Sequence, residues 1–206
     1  MSVKFNKEEF FNCYKTLFGK LNEKKVKALS FLLDKLDETK RIDSIPKKAY
    51  VLATIKWETA DTFEPITEYG SEKYLKSKKY YPFIGRGYVQ LTWEANYKKF
   101  GDFLKIDLLN FPHKANDPEI AWKILEEGMT DDFGIQDPNF TKYTLEDYFS
   151  SNNKNYFSAR MIINPKDHNS FNPIAEMAMN FEKCLSRAIL TEGDIPEEKG
   201  FIFNKS

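Results

Sequence analysis

The sequence reads PKKAYVLATIKWETA over residues 46–60, a stretch that is apolar almost all round. A helix that lacks a polar stripe is buried on every side, and Pro46 suits a first helical turn. We therefore predict a core helix over residues 46–57. Such a helix would bring the Glu58 carboxyl group to its end, beside the apolar interior.

Apolar residues recur at intervals of three and four through most of the chain, which predicts a mainly α-helical protein. The predicted helices span residues 6–18, 23–36, 46–57, 89–104, 117–127, 145–149, 155–163 and 173–190. Residues 61–87 are rich in Gly, Pro, Tyr and Lys and have no helical period. We predict loops there, with a short β-hairpin as an alternative. A long irregular segment in a compact domain is usually functional, so the site is expected here.

Length and composition favour one domain over residues 1–206, because 206 residues with 41% hydrophobic side chains can bury one substantial core. Residues 191–206 lack a clear period and are predicted to be a C-terminal tail.

The 31 basic residues balance the 31 acidic ones, which argues against a global attraction to nucleic acid or to an anionic membrane. Neither a signal-peptide run nor a membrane-spanning segment is recognisable, so we expect a cytoplasmic protein without membrane insertion.

The cysteine and histidine content is low. Cys13 and Cys184 are far apart and have neither the pattern of a disulfide framework nor a metal-binding spacing, so we predict buried thiols in a reducing compartment. His113 and His168 stand alone, which argues against a histidine-rich metal site and against a Ser-His-Asp arrangement. No metal and no cofactor are expected.

Two glutamates lie where glycoside hydrolysis would need them. That reaction uses one protonated carboxyl group as the acid and one ionised carboxylate as the base or nucleophile. Glu58, at the end of an apolar helix, should have its pKa raised by desolvation, whereas Glu68 lies in a loop and should be solvated and ionised. Alternatively, Glu58 only caps a helix and Glu68 is a surface residue. Asp61, Glu64 and Glu72 remain alternatives for the second role.

Polar residues with specific geometry follow these glutamates. The chain has 27 lysines but four arginines, so an arginine between two glycines, Arg86, suggests a need for the planar guanidinium group, although an exposed turn is the alternative. Gln90 and Thr92 face the same side if their segment is extended and diverge if it is helical. Both side chains can hold a water molecule or a sugar amide.

Aromatic residues in the same region are candidates for packing against sugar rings. Tyr69 and Tyr88 are the preferred pair, because Trp57, Trp93 and Tyr97 have the spacing of core residues. The lysine-rich segment from Lys73 to Lys79 could attract an anionic cell wall or could be a solvated loop.

Taken in order, these motifs resemble glycoside hydrolase family 19. The relevant segments are WETA at residues 57–60, EYG at 68–70 and GRGYVQLTW at 85–93, followed by Asn96-Tyr97. This is a chitinase family whose phage branch comprises peptidoglycan-degrading endolysins. The segments NDPEIA at 116–121, GM at 128–129 and ARMIIN at 159–164 also resemble that branch, and the similarity spans about residues 49–185.

The resemblance implies a lysozyme-like helical fold in two lobes with a cleft between them, and an inverting mechanism. It implies that Glu58 is the general acid, that Glu68 is the general base and that the Thr92 hydroxyl helps to hold the attacking water. Roles in substrate binding or in framing the cleft are carried onto Gln90, Asn96, Arg160 and Asn164. Three features depart from the family: Trp57 replaces the usual histidine, Pro165-Lys166-Asp167 follows Asn164, and the disulfides of the plant members are not expected.

The catalytic motif does not discriminate between chitin and peptidoglycan, because both contain β-1,4 linkages between N-acetylated sugars. The absence of a recognisable signal peptide favours a phage endolysin, which waits in the cytoplasm of the infected bacterium until a holin opens the membrane. The alternatives are a chitinase acting on chitin oligomers and a virion-associated or antibacterial-effector protein that binds glycan. In each case we expect a monomer that does not bind nucleic acid.

Overall fold

A computed structural model of the chain describes residues 4–131 and 139–190. Within these ranges the chain is mainly helical, as predicted. The helices are α1 Lys7–Phe18, α2 Glu23–Glu38, α3 Ile45–Glu58, α4 Glu72–Lys76, α5 Glu94–Leu104, α6 Pro118–Met129, α7 Leu145–Tyr148 and α8 Phe171–Ala188. The predicted C-terminal tail, residues 191–206, lies outside the described residues.

Side-chain caps begin several of these helices where the sequence indicates. The Asn6 side chain accepts a hydrogen bond from the Glu9 backbone N–H at 3.2 Å, and Asn22 does the same for Lys25 at 2.9 Å. Asp117 accepts from two backbone N–H groups at the start of α6, with Pro118 at the first helical position. Such caps satisfy donors that have no partner inside the helix.

The helix α3 is the centre of the core, with α8 packed against it and α1 packed against α8. The residues from Ala49 to Ile55 are all buried, as the apolar pattern predicts, and the charged Lys47 and Lys48 are buried as well. Trp57, which was also predicted to lie in the core, is 38% exposed. Buried side chains from Phe5 to Ala188 form one continuous cluster, in which each large aliphatic side chain contributes about 1.5–3 kcal/mol relative to exposure. The core therefore fixes the end of α3, where Glu58 lies.

The segment between α3 and α5 is largely irregular and contains the short hairpin that was predicted as an alternative. Strand β1, Ile66–Thr67, pairs antiparallel with β2, Arg86–Gly87, and Arg86 also forms a bridge with Leu91. A second pair joins β3, Phe149–Ser150, to β4, Asn153–Lys154. Short 3-10 helices lie at Pro112–Asn116, Ser158–Ile162 and His168–Ser170.

Two predicted helices are shorter than their apolar periodicity indicates. The helix predicted from residue 89 begins only at Glu94, because Leu91 pairs with Arg86 and both Gln90 and Trp93 have positive φ angles, 53° and 77°. Positive φ is incompatible with a right-handed helix. The helix predicted over residues 155–163 is reduced to the 3-10 helix Ser158–Ile162.

The prediction of free thiols is wrong, because Cys13 and Cys184 form a disulfide. Their burial was predicted correctly: both side chains lie in the core. The bond is possible because α1 and α8 pack side by side and bring the two Cα atoms to 5.2 Å. Spacing along the sequence carries no information on which distant helices pack together.

Among the described residues, no helix has both the length and the apolar character that crossing a membrane requires.

Candidate active site

Glu58, the last residue of α3, pairs with a buried arginine from a distant part of the chain. Its Oε1 atom accepts a hydrogen bond from Arg160 Nη1 at 2.6 Å. The Arg160 side chain is 2% exposed and the Glu58 side chain 14% exposed. Arg160 comes from the 3-10 helix Ser158–Ile162, whose tight turns direct it toward the end of α3. A nearly dry ion pair is therefore built at the end of the core helix.

The same guanidinium group also contacts a second carboxylate, with Arg160 Nη2 lying 3.2 Å from Asp167 Oδ2. Burial raises the pKa of Glu58, Arg160 partly offsets that increase, and the negative charge of Asp167 adds to it. Sharing one cation between two carboxylates weakens its hold on each. The net result is a pKa of Glu58 above its ordinary value, which is the direction of shift that a general acid needs.

The turn that follows Glu58 has an unusual backbone. Ala60, Asp61 and Phe63 have φ angles of 48°, 66° and 60°. Non-glycine residues in this region are strained and persist where their surroundings hold them. Here the Thr59 hydroxyl accepts from the Phe63 N–H at 3.0 Å and donates to the Ile55 carbonyl at 2.7 Å. These bonds fix the path of the chain from Glu58 toward Glu68.

Glu68 lies directly after β1 and is held through both carboxylate oxygens. Oε1 accepts from the Tyr80 hydroxyl at 2.9 Å, and Oε2 accepts from the Gly85 backbone N–H at 3.1 Å. The Glu68 N–H in turn donates to the Gly85 carbonyl at 2.7 Å. Burial and the Glu68 carboxylate raise the pKa of Tyr80 to about 12, so Tyr80 remains a donor near neutral pH.

Gln90, Thr92 and Asn96 form a hydrogen-bonded series beside this strand pair. Gln90 Nε2 donates to the Ile66 carbonyl at 3.1 Å, which attaches the 88–93 segment to β1. The Thr92 hydroxyl donates to the Gln90 carbonyl at 2.7 Å, and Asn96 Nδ2 donates to the Thr92 carbonyl at 2.8 Å. The Thr92 hydroxyl oxygen can still accept a hydrogen bond, whereas the Gln90 side chain holds the 88–93 segment against β1.

The Gly-Arg-Gly motif is explained by close packing around β2. A Cβ atom on Gly85 would lie 2.7 Å from Gln90 Oε1, and Gly87 has a φ of 81° with the Ala115 carbonyl oxygen 2.8 Å from the position of a Cβ. Arg86 Nη1 lies 2.9 Å from the Tyr97 hydroxyl and 3.1 Å from the Pro82 carbonyl. The guanidinium group therefore organises the loop, and in this arrangement its contacts are within the protein.

The two preferred tyrosines have opposite surroundings. Tyr69, next to Glu68, is 66% exposed and can offer a ring face to a sugar. Tyr88 is 1% exposed and lies in the core, so its ring has no face open to a sugar, which contradicts its predicted role in substrate binding. The expectation for Tyr88 rested on its neighbours in sequence, which do not reveal that the side chain points inward.

Asn164 is exposed and stabilises the loop that carries Asp167. Its carbonyl accepts from the Asp167 N–H at 3.2 Å, and its Oδ1 accepts from the Lys166 N–H at 3.2 Å. Asn116 has a comparable role near β1 and β2: it accepts from the Gly87 N–H at 3.1 Å and donates to the Thr67 hydroxyl at 2.6 Å. Both asparagines hold the backbone near a candidate carboxylate.

The three alternatives to Glu68 have different surroundings from it. Asp61 lies 2.5 Å from Lys25 Nζ and also pairs with Lys56. Burial opposes ionisation of Asp61, but hydrogen bonds from the two lysines more than offset it and lower the pKa. Glu72 pairs with Lys76 at 2.6 Å on the exposed surface of α4. Glu64 is exposed beside a separate groove lined by Phe31 and other residues.

Two residues of this site were not identified from the sequence as contributors. Tyr80 lies in a run of lysines and tyrosines, with no pattern that distinguishes it from its neighbours. Asp167 was noted only as a departure from the family pattern, although it shares Arg160 with Glu58. The rarity of arginine, which drew attention to Arg86, applies equally to Arg160 and could have suggested a buried partner.

Glu58 and Glu68 therefore differ in their surroundings: Glu58 is buried and has a raised pKa, whereas Glu68 accepts hydrogen bonds from two donors. That combination fits general acid and general base roles in hydrolysis. Among the described residues, no group of three or more His, Cys, Asp or Glu side chains is arranged to hold a metal ion.

Comparison with solved structures relates this fold to bacterial chitinases. Chitinase C from Streptomyces griseus HUT6037 aligns with a TM-score of 0.56 and 19% identity, over 93% of this chain and 80% of that chain. A mutant of chitinase C gives a TM-score of 0.61 and 21% identity over the same shares. A bacterial family 19 chitinase aligns with a TM-score of 0.55 and 21% identity, over 89% of this chain and 94% of that chain.

No protein-family model and no curated protein matches the sequence. The structural alignments cover nearly the whole chain at sequence identities near one fifth, a level at which they establish the fold. The resemblance predicted from the motifs is confirmed at that level: this chain has the fold of the family 19 chitinases.

Proposed function

We propose that this protein is a glycoside hydrolase that cleaves β-1,4 bonds between N-acetylated amino sugars, with peptidoglycan as its substrate. The observation that carries the proposal is the pair of carboxyl groups with opposite surroundings. Glu58 is nearly dry and has a raised pKa, whereas Glu68 receives hydrogen bonds on both oxygens. Hydrolysis of a glycosidic bond requires one carboxyl group that donates a proton and a second carboxylate that activates water.

In the proposed mechanism, Glu58 donates its proton to the leaving glycosidic oxygen. Glu68 removes a proton from a water molecule that attacks the anomeric carbon from the opposite face, which inverts the configuration. The Thr92 oxygen accepts a hydrogen bond from that water. Arg160 stabilises the carboxylate that forms on Glu58 as the proton leaves, because its guanidinium group already lies 2.6 Å away.

Further residues are proposed to bind the glycan. Tyr69 is exposed next to Glu68 and supplies an aromatic face. Asn164 is exposed and its N–H donates to the Arg160 carbonyl, and Asn96 is half-buried and donates to the Thr92 carbonyl; both are proposed to contact the glycan. Arg86, Gln90 and Arg160 act indirectly by holding the loops and the acid in place. The protein is proposed to act as a monomer, without a cofactor.

The substrate assignment has one competing candidate with direct support. All three structural neighbours described above are chitinases by name, which favours chitin oligomers. We favour peptidoglycan, and a phage endolysin role with holin-dependent release from the host cytoplasm, on the resemblance of the motifs to the phage branch. The Cys13–Cys184 disulfide supports a working site outside a reducing cytoplasm, since such bonds persist in oxidising compartments.

The test is to incubate purified protein with peptidoglycan sacculi and, separately, with chitin oligomers, and to identify soluble products by mass spectrometry. Muropeptides from sacculi would support the proposal, and the sugar at their reducing end would identify the bond that is cut. Chito-oligomers alone would make the protein a chitinase. The Glu58→Gln variant is the control, and hydrolysis by this variant at the parent rate would exclude the acid role of Glu58.

A glycan-binding protein without turnover is the remaining alternative. It predicts no products from either substrate, together with sedimentation on sacculi that is equal for the parent protein and for Glu58→Gln. Product formation by the parent protein alone would rule this alternative out.

A further inference from the structure

Four lysines lie within seven positions on the loop that connects β1 to β2. We infer that this loop, residues 71–82 and hereafter the lysine arm, binds carboxylate groups of an anionic glycan strand whose sugar chain passes the Glu68 carboxylate. The inference rests on the proposed function and specifies the charge of its substrate. The lysines are Lys73, Lys76, Lys78 and Lys79.

Charge is concentrated in the lysine arm against a neutral background. The whole chain has no formal net charge, yet these twelve residues contain four lysines and a single acidic residue, Glu72. Glu72 pairs with Lys76 at 2.6 Å. No described carboxylate lies within ion-pair distance of Lys73, Lys78 or Lys79. Lys73 and Lys79 thus remain available to an external anion, and the Lys78 ammonium group lies over the exposed Tyr74 ring, 3.8 Å from its centroid.

The lysine arm has a defined shape, which is needed for selective binding. The Ser71 side chain caps α4 by accepting from the Tyr74 N–H at 3.3 Å. Consecutive turns follow, in which the N–H of Lys78 donates to the Leu75 carbonyl and the N–H of Tyr81 to the Lys78 carbonyl, each at 3.1 Å. The lysines are therefore presented on an ordered surface, with less conformational entropy to lose on binding.

Hydrogen bonds connect the lysine arm directly to the candidate base. Tyr80 donates its hydroxyl to Glu68 Oε1 at 2.9 Å, and Lys78 and Lys79 immediately precede Tyr80 in the chain. Neighbouring Cα atoms are about 3.8 Å apart, so Lys79 begins within one residue of the group that holds Glu68. An anion bound by these lysines would belong to the same polymer that Glu68 acts on.

Exposed aromatic side chains surround the same surface. Tyr69, Tyr74, Tyr81 and Trp93 are each at least 44% exposed, so the core position predicted for Trp93 from its spacing is wrong. The Trp93 ring packs edge-on against Tyr80 at 5.2 Å between ring centroids. Aromatic faces pack against the apolar faces of sugar rings, whereas lysine ammonium groups attract carboxylates. Together they fit a glycan that carries carboxylates on its substituents, as peptidoglycan does. Chitin is neutral and would leave the lysines without partners.

The experiment compares the parent protein with a variant that carries glutamine at positions 73, 76, 78 and 79. A control variant carries glutamine in place of four exposed lysines elsewhere, Lys20, Lys24, Lys123 and Lys183. Binding is measured by co-sedimentation in the Glu58→Gln background. The probes are sacculi stripped of phosphate-bearing polymers and the same sacculi with their carboxylates converted to amides. Turnover is measured with the stripped sacculi and with a chitin hexamer.

We expect the lysine-arm variant to bind stripped sacculi at least tenfold more weakly than the control variant, with a smaller dependence on salt. Amidation should weaken binding of the parent protein to a similar degree, and turnover of the chitin hexamer, where the parent shows it, should change less than twofold. Equal binding by the two variants, or binding that requires the phosphate-bearing polymers, would overturn the inference.

The proposed hydrolase function can fail separately. Charge-dependent binding to sacculi without any turnover by the parent protein would refute hydrolysis and keep the role of the lysine arm. If the parent protein and the lysine-arm variant degrade and bind sacculi equally, hydrolysis would stand and the role of the lysine arm would be refuted.

Discussion

Arg160 Nη1 lies 2.6 Å from Glu58 Oε1, although the two residues are 102 positions apart in the sequence. The contact is an ion pair between the last residue of the core helix α3 and a residue of the 3-10 helix Ser158–Ile162. Because Arg160 also contacts Asp167, it links the candidate acid to the loop that follows Asn164. A buried arginine between two carboxylates makes the protonation of Glu58 depend on residues from a distant part of the chain.

Replacing Arg160 tests this dependence. In Arg160→Gln the positive charge that partly offsets burial is lost, so the pKa of Glu58 should rise further, and the alkaline limb of the profile of kcat/KM against pH should move to higher pH. Leaving one partner of a buried pair alone costs about 3–5 kcal/mol, so Tm should fall by about 6–20 °C.

Two variants make the Arg160 test decisive. Arg160→Lys keeps the charge but cannot reach both carboxylates with a planar group, so its pH profile should lie between those of the parent and Arg160→Gln. Arg187→Gln, on the exposed end of α8, should change neither the profile nor Tm by a measurable amount. A pH profile of Arg160→Gln that coincides with that of the parent protein would refute the coupling.

Removing the Tyr80 hydroxyl tests the support of Glu68. Tyr80→Phe deletes the donor to Oε1 and leaves the Gly85 N–H as the remaining contact. A hydrogen bond to a charged group is worth about 1.5–3 kcal/mol, so kcat should fall by about tenfold or more while KM changes little. Steady-state kinetics on the substrate found by product analysis measures both quantities. Tyr74→Phe, on the exposed surface of the lysine arm, is the matched control and should retain the parent kcat.

The assignment of the base is checked in the same assay. Glu68→Gln should lose turnover, whereas Glu64→Gln and Glu72→Gln should stay within about twofold of the parent protein, because both side chains are exposed and solvated. Loss of turnover in Glu64→Gln with an active Glu68→Gln would transfer the role to Glu64.

Much of the fold follows from local chemistry. Three helices start within one residue of the predicted positions, at the caps Asn6, Asn22 and Asp117, because short polar side chains there bond to free backbone N–H groups a few residues on. The burial of the middle of α3 also follows from its own residues, since those from Ala49 to Ile55 are almost all apolar. Both features depend on neighbours within one or two turns.

The parts that could not be predicted depend on long-range contacts. The apolar pattern over residues 89–93 resembles a helix, but Leu91 pairs with Arg86 and the chain between them forms a turn in which Gln90 has a positive φ. Likewise, Tyr88 was placed at the substrate because of its neighbours, although its side chain points into the core. The partners of Glu58 and Glu68 are identified only when distant segments are brought together, which no local spacing encodes.

Asp37 provides a prediction on the pH dependence of stability. Burial raises the pKa of Asp37 to about 6, although the Phe5 N–H and the Lys48 charge act in the opposite direction. A folded pKa above the unfolded value of 3.8 means that the contribution to stability is full below about pH 4 and is lost as the pH rises through 6. The ionised form at neutral pH is therefore unfavourable.

The Asp37→Asn variant removes that ionisation. The Tm difference, variant minus parent, should increase between pH 4 and pH 8 by about 2–4 °C, which corresponds to about 1 kcal/mol after allowance for the partial exposure of the group. Thermal unfolding at the two pH values measures it. Glu94→Gln, on the exposed first turn of α5, should show no such increase. A Tm difference that is the same at both pH values would contradict the assigned direction.

The Cys13–Cys184 disulfide should be a large source of stability, because it closes a loop of 171 residues between α1 and α8. Cross-linking distant residues reduces the entropy of the unfolded chain, and loss of a native disulfide typically costs about 2–5 kcal/mol. Reduction of the parent protein, or Cys184→Ala, should therefore lower Tm by about 4–20 °C. The double variant Cys13→Ala with Cys184→Ala should be insensitive to reductant, which separates bond loss from other effects of the reagent. If the parent protein unfolds at the same temperature with and without reductant, the two helices are held by packing alone. In that case α3, against which α8 lies, would carry the stability that we assign to the disulfide.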